Sequence, residues 1–398
     1  MRKPCFRIQI LNQISPRGLA LFPQDQYEVA SELPHPDAIL VRSADLHAVK
    51  IPDTVKAIAR AGAGYNNIPI AACSSRGVVV FTTPGGNANA VKELTMAALF
   101  ISSRNILKGI AWAASLADKA DAVPALVEQG KAQFEGPEIR GKVLGVVGLG
   151  AIGVMVANDA VALGMEVIGY DPYISVDAAW NLSRQVIRAD SLQEILAKSD
   201  YVTLHLPLGD TTRGLLDAEK FRYIKCGARL INLARGGLVN EGDIIAALHA
   251  EKLSAYVTDF PSAALLACPR AICIPHLGAS TPEAEDNCAV MAVRQLMEFL
   301  ESGTIKNSVN FPRCQLERRT PHSHRLLVAN RNIPNMVGQI TTILARERIN
   351  ILDLINHHQG EYAYNIIDTD QQIPITTMEQ ILAVEGIIRV RHIEGGKP

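Results

Sequence analysis

Three observations predict an α/β chain built on parallel sheets and closed by a smaller βαββαβ module. Short apolar strands alternate with helical stretches from residue 6 to about residue 301, the pattern of parallel sheets with crossover helices. A glycine turn sits between an apolar strand and a helix in the middle of that run. After the Gly, Asn and Pro-marked stretch Ser302–Cys314, strands and helices restart in βαββαβ order, a ferredoxin-like signature.

The strands of the first ninety residues read as Phe6–Leu11, Ala38–Val41, Ala57–Ala59 and Val78–Phe81, the last closed by the turn Thr83-Pro84-Gly85-Gly86. From about Asn89, Val91, Leu94, Ala97, Ala98 and Ile101 recur at helical spacing. Residues 115–140 are more polar and carry few strand signals. Lys142–Val147 is the next strand, Val154–Leu163 a helix, and Glu166–Tyr170 a strand ending at Asp171. Ser191–Lys198 reads as a helix with Ser191 and Glu194 spaced as a capping box. Tyr201–Leu206, Arg229–Leu233, Ala255–Phe260 and Ala271–Ile274 continue the strands; Gly242–Glu251 and Glu283–Glu301 are helices. The C-terminal module reads as strand Arg325–Ala329, helix Met336–Glu347, strands Ile351–His357 and Tyr362–Asp368, helix Thr377–Ala383 and strand Ile387–His392.

The 398 residues suffice for two or three domains. With 48% hydrophobic residues they can bury sizeable cores. The formal net charge of −1 argues against a generic binder of nucleic acid or of anionic membrane, which wants a basic surplus; neither partner is expected. No apolar run approaches the ~18 residues that span a bilayer, and the basic N-terminus lacks the apolar core of a signal peptide. The seven cysteines are scattered and form no CxxC pair, so reduced thiols in a cytoplasmic protein are expected, with no disulfide framework and no metal site.

Gly148-Leu149-Gly150-Ala151-Ile152-Gly153 follows a strand and opens a helix, and Asp171 closes the next strand 18 residues after Gly153. Such glycines permit a tight turn and the approach of a pyrophosphate to the helix N-terminus. Asp171 can accept from ribose hydroxyls and would repel a 2′-phosphate, so NAD is the expected cofactor rather than NADP. Arg235, in Asn232-Leu-Ala-Arg-Gly-Gly, lies beyond a strand's C-terminal end and can clamp a carboxylate. His276, in Pro275-His-Leu-Gly, follows another strand and can take or give a proton near neutral pH. Read singly, each is better explained as a surface arginine or a turn histidine.

These segments, in this order, resemble the D-isomer-specific 2-hydroxyacid dehydrogenase family over about residues 1–310. Residues 322–398 resemble an ACT domain, an amino-acid-binding module. The resemblance implies two Rossmann/flavodoxin-like parallel-sheet lobes with a cleft between them. Residues 1–88 and 278–312 would form a discontinuous substrate-binding domain and 89–277 the NAD-binding domain. Arg235 would hold the substrate carboxylate and His276 would exchange the C2 proton. Gly148, Gly150, Ala151, Ile152, Gly153, Asp171, Ala234 and Asp259 would hold NAD. Arg42 and Ser43, in Val41-Arg-Ser, Arg60, in Arg60-Ala-Gly-Ala-Gly-Tyr-Asn-Asn67, and Asn87 would bind a small phosphorylated 2-hydroxy acid. Asn330, Asn332 and Asn350 would receive an amino-acid effector such as serine, and a homo-oligomer, dimer or tetramer, is implied.

The chain departs from the family in one catalytic position. The family carries a glutamate a few residues after Asp259 that supports the catalytic histidine; here Ala263 and Ala264 stand there, and the nearest downstream acid is Glu283. An imidazolium without an adjacent carboxylate has a lower pKa. Three readings therefore stay open: a dehydrogenase for a phosphorylated substrate, a dehydrogenase for another D-2-hydroxy acid, and a weakened homologue that senses NAD and an amino acid.

Overall fold

The computed structural model describes residues 6–317 and 323–395; Cys5 lies outside them. By internal contacts the chain divides into two units, Asn87–Ala284 and a discontinuous one made of Met1–Gly86 with Glu285–Pro398.

The discontinuous unit holds two sheets. Five parallel strands, β1 (Phe6–Leu11), β2 (Tyr27–Ala30), β3 (Ala38–Val41), β4 (Ala57–Arg60) and β5 (Val79–Phe81), run in the order β2-β1-β3-β4-β5. Strand β2 escaped the sequence pattern because it is a four-residue edge strand whose burial does not alternate cleanly. The helix Pro282–Ser302 packs on this sheet through Cys288, Ala289, Ala292, Val293, Leu296, Phe299 and Leu300. Spacings of three and four place those residues on one face.

The other unit is a seven-stranded parallel sheet with β6 (Val143–Val147), β7 (Glu166–Tyr170), β8 (Ile187–Arg188), β9 (Tyr201–Leu204), β10 (Ala228–Asn232), β11 (Leu253–Thr258) and β12 (Ala271–Cys273). Its order is β12-β11-β10-β9-β6-β7-β8. Strands β6, β9 and β10 lie at the centre and are almost wholly buried, as a sheet covered on both faces requires. Strand β8, two exposed residues long, carried no readable signal. Within residues 115–140, Ala117–Ala122, Val123–Gly130 and Lys131–Phe134 form short helices. The expected strand ending at Phe260 stops at Thr258, which leaves Asp259 one residue past the strand end.

The C-terminal module, β13 (His324–Arg331), helix Met336–Arg346, β14 (Ile351–Gln359), β15 (Tyr362–Thr369), helix Ile375–Leu382 and β16 (Ile387–Ile393), has the expected βαββαβ order. Its antiparallel sheet runs β14-β15-β13-β16. One face packs on the module's own helices through Leu326, Val328, Ile340, Leu344 and Ile367. The opposite face, with Leu327, Ala329, Tyr364 and Ile366, joins the core around Phe81, Phe299 and Phe311. The alternation of strand residues thus serves two cores.

Three arginines fasten this face. Arg325, 1% exposed, makes a bidentate pair with Asp368 at 2.6 and 2.8 Å and donates to Ser302 O. Arg391 donates to Leu300 O and lies over the Phe299 ring. Arg389 donates to Val55 O and Asp53 O. Arg325 and Arg391 thereby satisfy carbonyls at the C-terminal end of the helix Pro282–Ser302, which have no partner within the helix.

Candidate active site

The candidate residues of the Asn87–Ala284 unit collect at one edge of its sheet because parallel strands all end on the same side. Gly148 follows β6, Asp171 follows β7, His205 follows β9, Arg235 follows β10, Asp259 follows β11 and His276 follows β12.

The glycine turn is built by exclusion. Gly148 has φ +92°, and a Cβ there would collide with His205 O. A Cβ on Gly153 would fall on the carbonyl oxygen of Gly148. These two glycines are demanded by the protein itself. Gly150 is different: a Cβ there would meet nothing within 4 Å. Gly150 caps the helix Ala151–Ala162 without a side-chain hydrogen bond, so the N–H groups of that first turn remain available to an anion.

Asp171 accepts from Leu149 N at 2.8 Å and from Tyr173 N at 2.8 Å. Each oxygen keeps a lone pair for a further donor. Beside it a cleft of about 370 Å³ is lined by Leu149, Gly169, Tyr170, Asp171, Pro172 and Arg188 among others. A largely apolar cleft with Asp171 in its lining, next to an open helix N-terminus, fits the adenosine and pyrophosphate of a dinucleotide.

Arg235 and His276 are exposed. The turn that presents Arg235 is organised by fully buried Asn232, whose Oδ1 accepts from Ala234 N at 3.2 Å and whose Nδ2 donates to Arg235 O at 2.9 Å. The Asn232 side chain also donates to Tyr256 Oη at 3.3 Å. Ala234, placed among the cofactor-binding residues by sequence, accepts from Arg235 Nη1 at 2.6 Å through its carbonyl. The His276 ring stands edge-on to Phe260, centroids 4.9 Å apart.

Asp259 is 1% exposed, and neither carboxylate oxygen has a hydrogen-bond partner of good geometry. Burial raises its pKa, and the charges of His276 and Arg235 oppose that rise. A buried carboxylate within reach of an imidazole stabilises the imidazolium when it forms. Ala263 opens the four-residue helix Ala263–Leu266 and is exposed, with Ser262 as its cap; it supplies no carboxylate.

Sequence reasoning passed over His205. Its Nε2 bonds Thr203 Oγ1 at 3.1 Å, its Nδ1 is buried and unpartnered, and burial lowers its pKa to about 4. It is neutral at pH 7 and borders the glycine turn. The signal available was its place just beyond strand Tyr201–Leu204, level with Asp171 and Arg235.

In the discontinuous unit, Arg42 and Ser43 sit just beyond β3 and Arg60 ends β4. Asn12, at φ +74°, accepts from Ser43 N and Ala44 N, and Asn67 donates to Arg42 O and Ala44 O. These two asparagines set the turn that projects Arg42. Arg60 turns inward: Nε donates to Arg42 O at 3.0 Å and Nη1 to Gly64 O at 2.8 Å. Asn87 precedes the helix Ala88–Ser103 and belongs to the other unit.

In the C-terminal module Asn330 is buried and accepts from Asn365 Nδ2 at 2.8 Å, while Asn365 Oδ1 accepts from Asn356. Asn332 and Asn350 are exposed. Asn335 takes φ +67°, a left-handed conformation that asparagine tolerates.

Comparison with known proteins bears on this site. The D-isomer specific 2-hydroxyacid dehydrogenase, NAD binding domain, matches residues 104–278. The D-3-phosphoglycerate dehydrogenase of Methanocaldococcus jannaschii is 31% identical over 345 residues, 84% of this chain and 62% of that protein. The rat protein of the same name is 34% identical over 293 residues, 71% of this chain and 52% of its own length. The chain thus spans roughly half to three fifths of the curated relatives it matches. The NAD+-bound 3-phosphoglycerate dehydrogenase of Entamoeba histolytica superposes with a TM-score of 0.59 at 25% identity, covering 77% of this chain and 99% of that one. The glycine turn, the acid after β7 and the Arg235 and His276 turns agree with these matches: residues 104–278 belong to the D-isomer specific 2-hydroxyacid dehydrogenase family as its NAD-binding domain.

Proposed function

We propose that this chain oxidises the C2 hydroxyl of 3-phospho-D-glycerate to the ketone of 3-phosphohydroxypyruvate, the first step of L-serine biosynthesis, using NAD. The observation that carries the reading is Arg235, Asp259 and His276 on three adjacent strand ends of an NAD-binding sheet. The curated relatives named D-3-phosphoglycerate dehydrogenase support the choice of substrate.

Arg235 holds the substrate carboxylate and polarises the C2 oxygen. His276 takes the hydroxyl proton, and buried Asp259 stabilises the imidazolium that forms. NAD, held by the Gly148–Gly153 turn and Asp171, supplies the acceptor for the C2 hydride. Arg42 takes the substrate phosphate. Arg60 shapes the Arg42 turn through the two carbonyls it binds. Ser43 and Asn87 complete the polar contacts.

The same reading includes a cytoplasmic homo-oligomer regulated by serine. The helix Ile106–Ala114 buries none of its residues and exposes Ile106, Leu107 and Ile110, an apolar face suited to a second copy. The six described cysteines are free, and no described helix is long and apolar enough to cross a membrane. Exposed Asn332 and Asn350 are the effector contacts. Serine then slows turnover without competing with substrate; unchanged rate and melting temperature at saturating serine removes this part.

The deciding assay is NADH formation from NAD and 3-phosphoglycerate at high pH with a trap for the ketone. His276→Ala lowers kcat by about 10²- to 10⁴-fold. The absence of a carboxylate at Ala263 favours one second reading, a weakened homologue that senses NAD and an amino acid. NAD binding without turnover on any D-2-hydroxy acid would establish it instead.

A further inference from the structure

The guanidinium assigned to the substrate phosphate already holds an anion of the chain itself. Arg42 Nη2 donates to Glu285 Oε1 at 2.6 Å. Glu285 lies in the first turn of the 21-residue helix Pro282–Ser302, which starts beyond Thr281, whose Oγ1 accepts from Ala284 N. A carboxylate at that end is favoured by the helix dipole.

Both ends of the pair are held. The Arg42 backbone is clamped by Asn67 and Arg60, which bind its carbonyl. Glu285 is flanked by Asp286, fixed by Ser15 at 2.5 Å and Arg17 at 3.1 Å. One turn on, buried Cys288 lies against Gly86, where a Cβ would come within 2.8 Å of its sulfur. The charges of Arg42, Arg60 and Glu285 all reach that thiol. The pair itself is accessible: the two side chains are 38% and 42% exposed. Such a pair is weak enough to be exchanged for another anion.

We propose that Glu285 is an internal competitor for Arg42, occupying the guanidinium until the substrate's phosphate displaces it, and so sets the affinity and selectivity for phosphorylated over unphosphorylated 2-hydroxy acids. This rests on the reading that Arg42 binds the substrate phosphate. A dianionic phosphate outcompetes a carboxylate at a guanidinium, whereas a substrate without phosphate gains nothing from removing Glu285.

The test is steady-state kinetics of Glu285→Gln with 3-phosphoglycerate and with D-glycerate, and inorganic phosphate as a competing probe. Glu285→Gln lowers KM for 3-phosphoglycerate by about two- to fivefold, the range of an exposed ion pair. The inhibition constant of inorganic phosphate falls in parallel, and KM for D-glycerate is unchanged. In an Arg42→Ala background, Glu285→Gln has no effect on KM. An unchanged or raised KM in Glu285→Gln, while Arg42→Ala alone still raises it, overturns the competitor role and makes Glu285 a positioning residue for Arg42. Equal shifts for both substrates overturn it as well. If Arg42→Ala leaves KM for 3-phosphoglycerate unchanged, the phosphate assignment of Arg42 fails first, and the competitor role falls with it.

Discussion

Two turns at strand ends are offered to anions, and they are built in opposite ways. The Gly148–Gly153 turn uses backbone: two glycines are imposed by steric exclusion, Gly150 faces open space, and the helix N-terminus has no side-chain cap. The Arg42 turn uses a side chain, projected by Asn12 and Asn67 and already engaged by Glu285. A backbone site has nothing to neutralise it and depends only on keeping side chains out. A guanidinium site can be filled from within, so its strength is set by a residue more than two hundred positions away. The first is tuned by shape, the second by competition.

The contrast is broken most severely at Gly153. Gly153→Ala puts a Cβ onto Gly148 O and forces the turn apart. NAD binding by calorimetry weakens by about 100-fold or more, and the melting temperature falls. The corresponding change in the other turn, Arg42→Ala, removes one charge-assisted contact and leaves the fold intact. KM for 3-phosphoglycerate rises about 10- to 100-fold with little change in melting temperature. Equal thermal losses in the two variants would erase the distinction.

Two smaller effects sharpen the comparison at the sheet edge that carries Asp259 and His205. Ala263→Glu adds a carboxylate at an exposed position near Asp259. Turnover at pH 7 rises by about threefold to tenfold because the added carboxylate stabilises the imidazolium that forms, read from kcat at that pH. No change would leave Asp259 as the sufficient partner. His205 braces the glycine turn with its carbonyl and has its pKa lowered to about 4 by burial, from 6.5. Between pH 6.5 and about 4 the unfolded chain binds this proton and the folded chain does not. Stability therefore falls as pH is lowered through that window. His205→Gln removes that contribution, seen as a shallower loss of the urea midpoint between pH 7 and 4.

Much of this was legible in the residues. Alternating strands and helices gave away both parallel sheets, and βαββαβ order gave away the C-terminal module, because each depends on local periodicity. Glycine spacing and Asp171 marked the turn between β6 and the helix Ala151–Ala162, since tight backbone turns demand specific residues at fixed offsets. Strands β2 and β8 escaped because edge strands of two to four residues carry too few alternations to register.

What the chain determined by itself was therefore whatever neighbouring residues decide together: the element types, the glycine turn, and the strand-end positions of Arg235 and His276. The tertiary structure decided which distant groups meet them. Arg42 finds Glu285, Asp259 is buried within reach of the charges of His276 and Arg235, and Arg325 and Arg391 cap a helix from another sheet. Charge strength depends on burial and on partners far along the chain, and neither quantity is written in local spacing.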